Sequence, residues 1–154
     1  MKTNHLLALV AGGLLLAGTA STQEKKIKRS DLPPAVEKTV AAESAGATIR
    51  GFSTEKEKAQ TFYEAEMIVN GHSKDVLIAA DGTVVEVEEH VTLDSLSPEV
   101  KAGLQAKAGK GKILKVESLT KKGKLVAYEA QVETNGKKSE VQVGPDGKPL
   151  AHEE

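Results

Sequence analysis

The sequence contains no cysteine and no tryptophan, and its aromatic residues are two phenylalanines and two tyrosines. Without cysteine the chain can form no disulfide, and it offers neither a thiolate nucleophile nor a thiolate metal ligand. So few aromatic rings leave little with which to stack nucleic-acid bases. The core must therefore consist mainly of Val, Leu, Ile and Ala, whose burial contributes roughly 25 cal/mol per Å² of apolar surface.

An excess of charge of one sign is also lacking, because 21 Lys and Arg residues face 22 Asp and Glu residues, a formal net charge of −1. A general nucleic-acid binder needs a surplus of Lys and Arg on one face, so the sequence predicts no nucleic-acid partner. It also lacks the G-x-S-x-G, G-x-x-x-x-G-K-[ST] and H-E-x-x-H motifs. We therefore expect no cofactor and no hydrolytic activity of its own.

The first twenty residues have the three parts of an export signal. Lys2 supplies a positive start, "LLALVAGGLLLAG" an apolar run, and Gly18-Thr19-Ala20 small residues for cleavage before Ser21. The apolar stretch of 15 residues at 6–20 is shorter than the roughly 20 that span a bilayer. The sequence predicts a signal peptide at 1–20, a periplasmic or secreted mature chain, and no stable membrane anchor after cleavage.

An internal repeat organises the rest of the chain. "YEAEMIVNG" at 63–71 returns as "YEAQVETNG" at 128–136, and an offset of 65 residues gives ten identities over the 27 positions from residue 63 to residue 89. The pattern predicts a polar linker at 21–29, a first repeat at 30–92 and a second repeat at 93–154. A unit of about 64 residues is marginal alone, so the two should share a core or a sheet.

Each repeat begins with a helical pattern. Apolar residues recur every fourth position, which is one face of an α-helix; they are Leu32, Val36 and Val40, then Leu96, Val100 and Leu104. Ser97 followed by Pro98 is typical of a helix start.

Strands fill the remainder of each repeat. In "YEAEMIV" apolar and acidic residues alternate with the period of two that a half-buried strand requires. The Asn-Gly pairs suit type I′ hairpin turns, and the Asp-Gly pairs one strand later make the same case. We therefore expect an α+β fold of two tandem helix-plus-antiparallel-meander repeats, with both helices packed on one face of a sheet of about seven or eight strands.

These residues resemble a known family. A helix followed by "Y-x-A-x-V/M", N-G, an acidic residue before an alternating strand, and D-G is similar to the PepSY superfamily. Two copies in an exported chain resemble its PepSY-like branch, whose fold is compared with the β-lactamase inhibitor protein. The resemblance covers about residues 27–151. It implies an exported, non-catalytic module, and a peptidase-inhibitory role has been proposed for such domains.

The helix-free sheet face is the predicted interface with a protein partner of the cell envelope or the extracellular space. Alternation directs Phe62, Glu64, Glu66 and Ile68 away from the helices, and it does the same for Glu129 and Glu133 in the second repeat. The two large apolar side chains point outward, where a partner, a loop or the second repeat can cover them. The surrounding acidic residues predict a basic partner. We expect the chain itself to be monomeric.

Metal-ion or small-ligand binding is the alternative function. Glu86, Glu88 and His90 share one strand face and form a candidate metal site, although a closed zinc site usually needs four ligands. The Glu residues of this face also suggest calcium, but the D-x-[DN]-x-[DN]-G loop is missing. We therefore interpret the acidic row as a solvated sheet face; it comprises Glu64, Glu66, Glu86, Glu88, Glu129 and Glu133.

Overall fold

The computed structural model describes residues 24–57, 59–152 and 154. The predicted signal peptide at 1–20 lies outside these residues. Within the described ranges, no helix has both the length and the apolar character needed to cross a membrane.

Eight strands form one sheet in which each strand pairs with the next along the chain, and all pairs are antiparallel. This confirms the α+β class and the expected size of the sheet. The strands are β1 (Lys25–Ile27), β2 (Thr48–Glu57), β3 (Gln60–Val69), β4 (His72–Ala79), β5 (Val84–Val91), β6 (Lys112–Lys121), β7 (Lys124–Thr134) and β8 (Lys137–Val143).

The two helices are α1 (Pro34–Glu43) and α2 (Pro98–Ala108), and each follows a short 3₁₀ turn, Arg29–Asp31 and Leu93–Ser95. Ser97 caps α2 as expected, since its hydroxyl oxygen accepts a hydrogen bond from the backbone N–H of Val100 at 3.3 Å. Pro33 stands at the same position of α1 and provides no side-chain cap.

Each helix buries its apolar stripe in its own cluster, and both clusters lie on the same face of the sheet. Val36 and Val40 of α1 join buried residues of β2, β3 and β4, while Val100 and Leu104 of α2 join those of β6, β7 and β8. Strand β5 connects the clusters, because it contributes to both. The expected placement of both helices on one face is confirmed.

The four predicted turns separate into two kinds, because Asp81 and Asp146 of the Asp-Gly pairs lack the positive φ that a type I′ turn requires at both central residues, so the type I′ prediction is wrong for these two turns. In both Asn-Gly turns the two central residues have positive φ, as the type I′ prediction requires. Nothing lies near the missing Cβ of Gly71 or Gly136. Gly82 and Gly147 of the Asp-Gly turns instead lie against the backbones of α1 and α2, so a Cβ would strike Ala35 or Glu99. These turns dock the sheet onto the helices.

The linker prediction at 21–29 is wrong for Lys25–Ile27, which form the edge strand β1 paired with β2. Its three residues carry too little alternation to be predicted as a strand. Ile27 nevertheless packs on the first core cluster, and backbone pairing with β2 also holds β1 in the sheet. At the other end of the chain, "KPLAHEE" forms no strand among its described residues, in line with its poor match to the sequence of β5.

Candidate binding face

The face of the sheet opposite the helices is termed the open face. Cross-strand pairing defines it: Glu64 of β3 lies between Ser53 and Leu77, and Glu129 of β7 lies between Glu117 and Gln142. The residues of the open face used below are Ser53, Phe62, Glu64, Glu66, Ile68, Asp75, Leu77, Glu86, Glu88, Lys115, Glu117, Leu119, Lys121, Ala127, Glu129, Gln131, Glu133, Lys138, Glu140, Gln142 and Gly144.

The predicted partner-binding residues occupy both halves of this face. Phe62 and Ile68 are partly buried rather than exposed, and neither belongs to the core clusters beneath the helices. Glu66 is partly buried, and the ammonium of Lys26 of β1 is 3.3 Å from its carboxylate. Glu133 is exposed and pairs in register with Lys112 and Lys138. The apolar pair therefore offers a smaller accessible surface than the sequence pattern predicts.

An acidic cleft of about 160 Å³ lies on the open face between β4 and β8. Carboxylate oxygens of Asp75, Glu88 and Glu117 lie within 4.8 Å of one another. Lys115 approaches this group, since its ammonium is 2.6 Å from the Glu117 carboxylate. The cleft draws on five strands; its lining comprises Asp75, Glu88, Lys115, Glu117, Glu129, Gln131, Lys138 and Glu140.

Burial changes the chemistry of these carboxyl groups, so the prediction of a fully solvated acidic row is wrong. Glu86 is only 6% exposed and lies 3.6 Å from Lys121. Burial raises the pKa of Glu88 to about 9, with further contributions from the neighbouring Glu117 and Glu129 carboxylates. The physical reason is crowding, because long side chains from adjacent strands exclude water from one another. At neutral pH Glu88 therefore carries a proton.

Two further glutamates stand at equivalent positions of the sequence repeat but are hydrogen-bonded to different neighbouring strands, Glu64 to β2 and Glu129 to β8. Burial raises the pKa of Glu64 to about 7, against a hydrogen bond donated by the Ser53 hydroxyl at 2.7 Å. Burial likewise raises the pKa of Glu129 to about 7, against a bond donated by the Gln142 amide at 2.7 Å. Both groups consequently change charge near neutral pH, and a charged partner can shift that equilibrium.

The fold does not bring the three predicted metal ligands Glu86, Glu88 and His90 together as one group. Glu86, Glu88 and His90 share a strand as predicted, but the carboxylate group brought together around Glu88 takes Asp75 from β4 and Glu117 from β6. His90 instead stacks on His72 with ring centroids 4.8 Å apart. Its Nδ1 is buried and makes no hydrogen bond in the described part of the chain. Glu86 and His90 are not part of the carboxylate group.

The sequence pattern does not indicate Asp75 and Glu117 as candidate site residues, because no local motif marks either one. Their proximity follows from the register of β4, β5 and β6. Asp75 of β4 pairs with Glu88 of β5, and Glu117 of β6 pairs with His90, which is two residues after Glu88 on the same strand. Alternation alone places each residue on the open face. Only the pairing brings the three carboxylates together.

Comparison with solved structures identifies the architecture. A BLIP-like protein from Bacteroides fragilis shares 19% sequence identity, with a TM-score of 0.58 over 79% of this chain and 84% of that one. The chain therefore has a fold similar to that of a BLIP-like protein. A DUF2874 family protein from Bacteroides ovatus gives 21% identity and a TM-score of 0.60 over 78% of this chain and 86% of that one.

A third structure, from Bacteroides eggerthii and provisionally described as periplasmic, gives 21% identity and a TM-score of 0.63 over 77% of this chain and 86% of that one. At this identity the likeness concerns the fold. No protein-family model and no curated protein matches the chain. The resemblance to PepSY thus rests on the helix, tyrosine-strand and turn residues.

Proposed function

We propose that the chain is an exported, non-catalytic PepSY-like binding module that uses its open face to bind a protein of the cell envelope or the extracellular space. The observation that carries this proposal is the open face itself. It spans the sheet, bears no helix among the described residues, and concentrates carboxyl groups in a cleft. Glu64 and Glu129 stand 65 residues apart, at equivalent positions of the sequence repeat, and both are partly buried on this face.

Charge determines which partner fits. The cleft holds more carboxyl groups than lysines. A partner surface that presents Lys or Arg would therefore be complementary in charge to the cleft. A partner cation near Glu64 or Glu129 also favours the ionised carboxylate, which strengthens the contact. Such association is steered electrostatically and weakens as salt screens it over a Debye length of about 8 Å at physiological ionic strength.

A peptidase is the partner class that we propose for this face. The PepSY resemblance implies a role in modulating peptidases, and the similarity to a BLIP-like protein is compatible with an inhibitor-like use of the sheet. The signal-peptide pattern at 1–20 would take the chain to the compartment where secreted peptidases act.

Partner capture tests the proposal. Mature wild-type protein is immobilised and exposed to envelope and secreted extracts at low and high salt, and the captured proteins are identified by mass spectrometry. We expect a basic protein that is retained at low salt and lost at high salt. A Phe62→Ser, Glu66→Lys double variant should retain at least tenfold less of it, because the variant removes an apolar contact and reverses one charge.

The matched control is Glu99→Lys, which makes the same charge change on the exposed surface of α2. It should capture the partner as well as wild type does. Undiminished capture by a double variant with a native circular dichroism spectrum would show that the open face is not the interface.

Envelope metal-ion or small-ligand binding remains the alternative function, and the carboxylate group of Asp75, Glu88 and Glu117 is the observation in its favour. Two features oppose it. Glu117 is already paired with Lys115, and Glu88 keeps its proton up to about pH 9. A metal cation must displace both the Lys115 ammonium and the Glu88 proton, so we favour the protein partner. Calorimetric titration with Ca²⁺ and Zn²⁺ separates the two functions, because saturable binding that Glu117→Gln abolishes would support the alternative.

A further inference from the structure

The segment at residues 149–154, of which the structure describes 149–152 and 154, follows a different course in those residues from its counterpart in the first half of the sheet. Both halves begin alike after β4 and β8: Ala79 donates to the carbonyl of Thr83 at 2.9 Å, and Gly144 donates to that of Lys148 at 2.8 Å. The first chain segment then continues as β5. In the second half Pro149 takes the place of Val84, the first residue of β5, and it has no N–H for a sheet hydrogen bond.

The end of this segment lies on the open face instead. The backbone N–H of Glu154 donates to the Gln142 side-chain oxygen at 2.8 Å, and the Gln142 amide nitrogen donates to the Glu154 carbonyl at 3.5 Å. The Gln142 side chain therefore pairs with main-chain groups much as a neighbouring strand would. The carboxylate of Glu154 lies 3.5 Å from the ammonium of Lys121.

Buried apolar residues lie between these two contact points. Leu119 and Ala127 face each other across β6 and β7 on the open face, and they are 2% and 0% exposed. Neither residue belongs to the core clusters beneath the helices. Leu150 lies near Gly144, the residue after β8, because its Cδ2 is 3.5 Å from the position that a Cβ on Gly144 would take. Leu119 and Ala127 thus form a buried apolar floor on β6 and β7, flanked by Lys121 of β6 and Gln142 of β8.

We propose that this end of the open face is a binding site for an extended peptide bearing a carboxylate, and that the 149–154 segment occupies it in cis. The site has three parts: Gln142 for main-chain groups, the apolar floor of Leu119 and Ala127, and Lys121 for the carboxylate. It goes beyond the proposed function, since the basic partner is proposed for the acidic residues of the open face and not for Gln142, Leu119 or Lys121. An external peptide must displace a tethered competitor whose effective concentration is in the millimolar range.

The test compares a mature chain that ends at Lys148 with the full mature chain. Each is titrated with a C-terminally amidated PLAHEE peptide, and binding is followed by NMR chemical shifts. We expect saturable binding to the shortened chain and at least tenfold weaker binding to the full chain. In the shortened chain, Gln142→Ala and Lys121→Ala should each weaken binding at least tenfold, whereas Lys124→Ala, an exposed lysine of the same hairpin, should not.

Two outcomes would overturn the proposal: a folded shortened chain that fails to bind millimolar peptide, or equal affinities of the two chains. If the shortened chain does not fold, NMR relaxation of the backbone amides of residues 150–154 in the full chain provides the test. Order in wild type that is lost in Gln142→Ala supports the site. Rapid unrestricted motion of these amides in wild type would contradict it.

Discussion

At the scale of single residues, the space around the Cβ position rather than φ distinguishes Gly136 of an Asn-Gly turn from Gly147 of an Asp-Gly turn. Gly136 and Gly147 have almost the same φ, 75° and 76°. Nothing lies near the Cβ position of Gly136, while that of Gly147 meets the backbone of Glu99 and Val100 in α2. The sequence predicts a turn at both positions. It does not show that the Asp-Gly turn must also admit a helix.

A Gly147→Ala substitution should therefore destabilise the protein more than Gly136→Ala. Both introduce a Cβ at positive φ, which costs about 1–2 kcal/mol. Only Gly147→Ala also pushes the turn away from α2, which adds roughly 1–3 kcal/mol as overpacking does. Urea unfolding of the two variants measures the difference, and equal losses would show that the turn does not fix the helix.

At the scale of elements, the helices, the tyrosine strands and the hairpin turns could be predicted because local patterns specify them. Alternation in "YEAEMIV" and the Asn-Gly pair each depend on a few neighbouring residues. The pairing of strands is not local. Register shifts between Leu77 and Ile78, and between Leu119 and Thr120, help to set which open-face side chains meet. The grouping of Asp75 with Glu88 and Glu117 was therefore beyond the sequence pattern.

The crowding of carboxyl groups across these strands predicts a dependence of stability on pH. Folding raises the pKa of Asp75 to about 6, of Glu64 and Glu129 to about 7, and of Glu88 to about 9, with burial as the main cause in each case. The folded state thus binds more protons than the unfolded state, whose carboxyl groups titrate near pH 4. This contribution to stability is complete below about pH 4 and is lost as pH rises through the folded pKa values.

Thermal unfolding should show a midpoint at least several degrees higher at pH 5 than at pH 9, because the extra protons bound by the folded state are released over this range. Glu88→Gln removes the group with the highest folded pKa and should flatten this dependence, whereas Glu99→Gln on α2 serves as the control. A midpoint that rises between pH 5 and pH 9 would contradict the burial of these carboxyl groups.

At the scale of the whole molecule, the two faces of the sheet have different roles. Each half contributes one helix and one apolar cluster, and the pairing of β5 with β6 joins the halves into one surface. A half of about 64 residues would be only marginally stable alone. The helix side thus stabilises the fold, and the opposite side is left for buried carboxyl groups, the acidic cleft and the 149–154 segment.

Carboxyl footprinting of the captured complex tests most directly the claim that the open face is the interface. Free protein and complex are labelled with a water-soluble carbodiimide and an amine, and labelling of each carboxyl group is measured by mass spectrometry. We predict that labelling of Glu66 and Glu133 on the open face falls at least several-fold in the complex, while Glu37 and Glu99 on the helices are unchanged. Protection of the helix carboxylates with unchanged labelling of Glu66 and Glu133 would contradict the account.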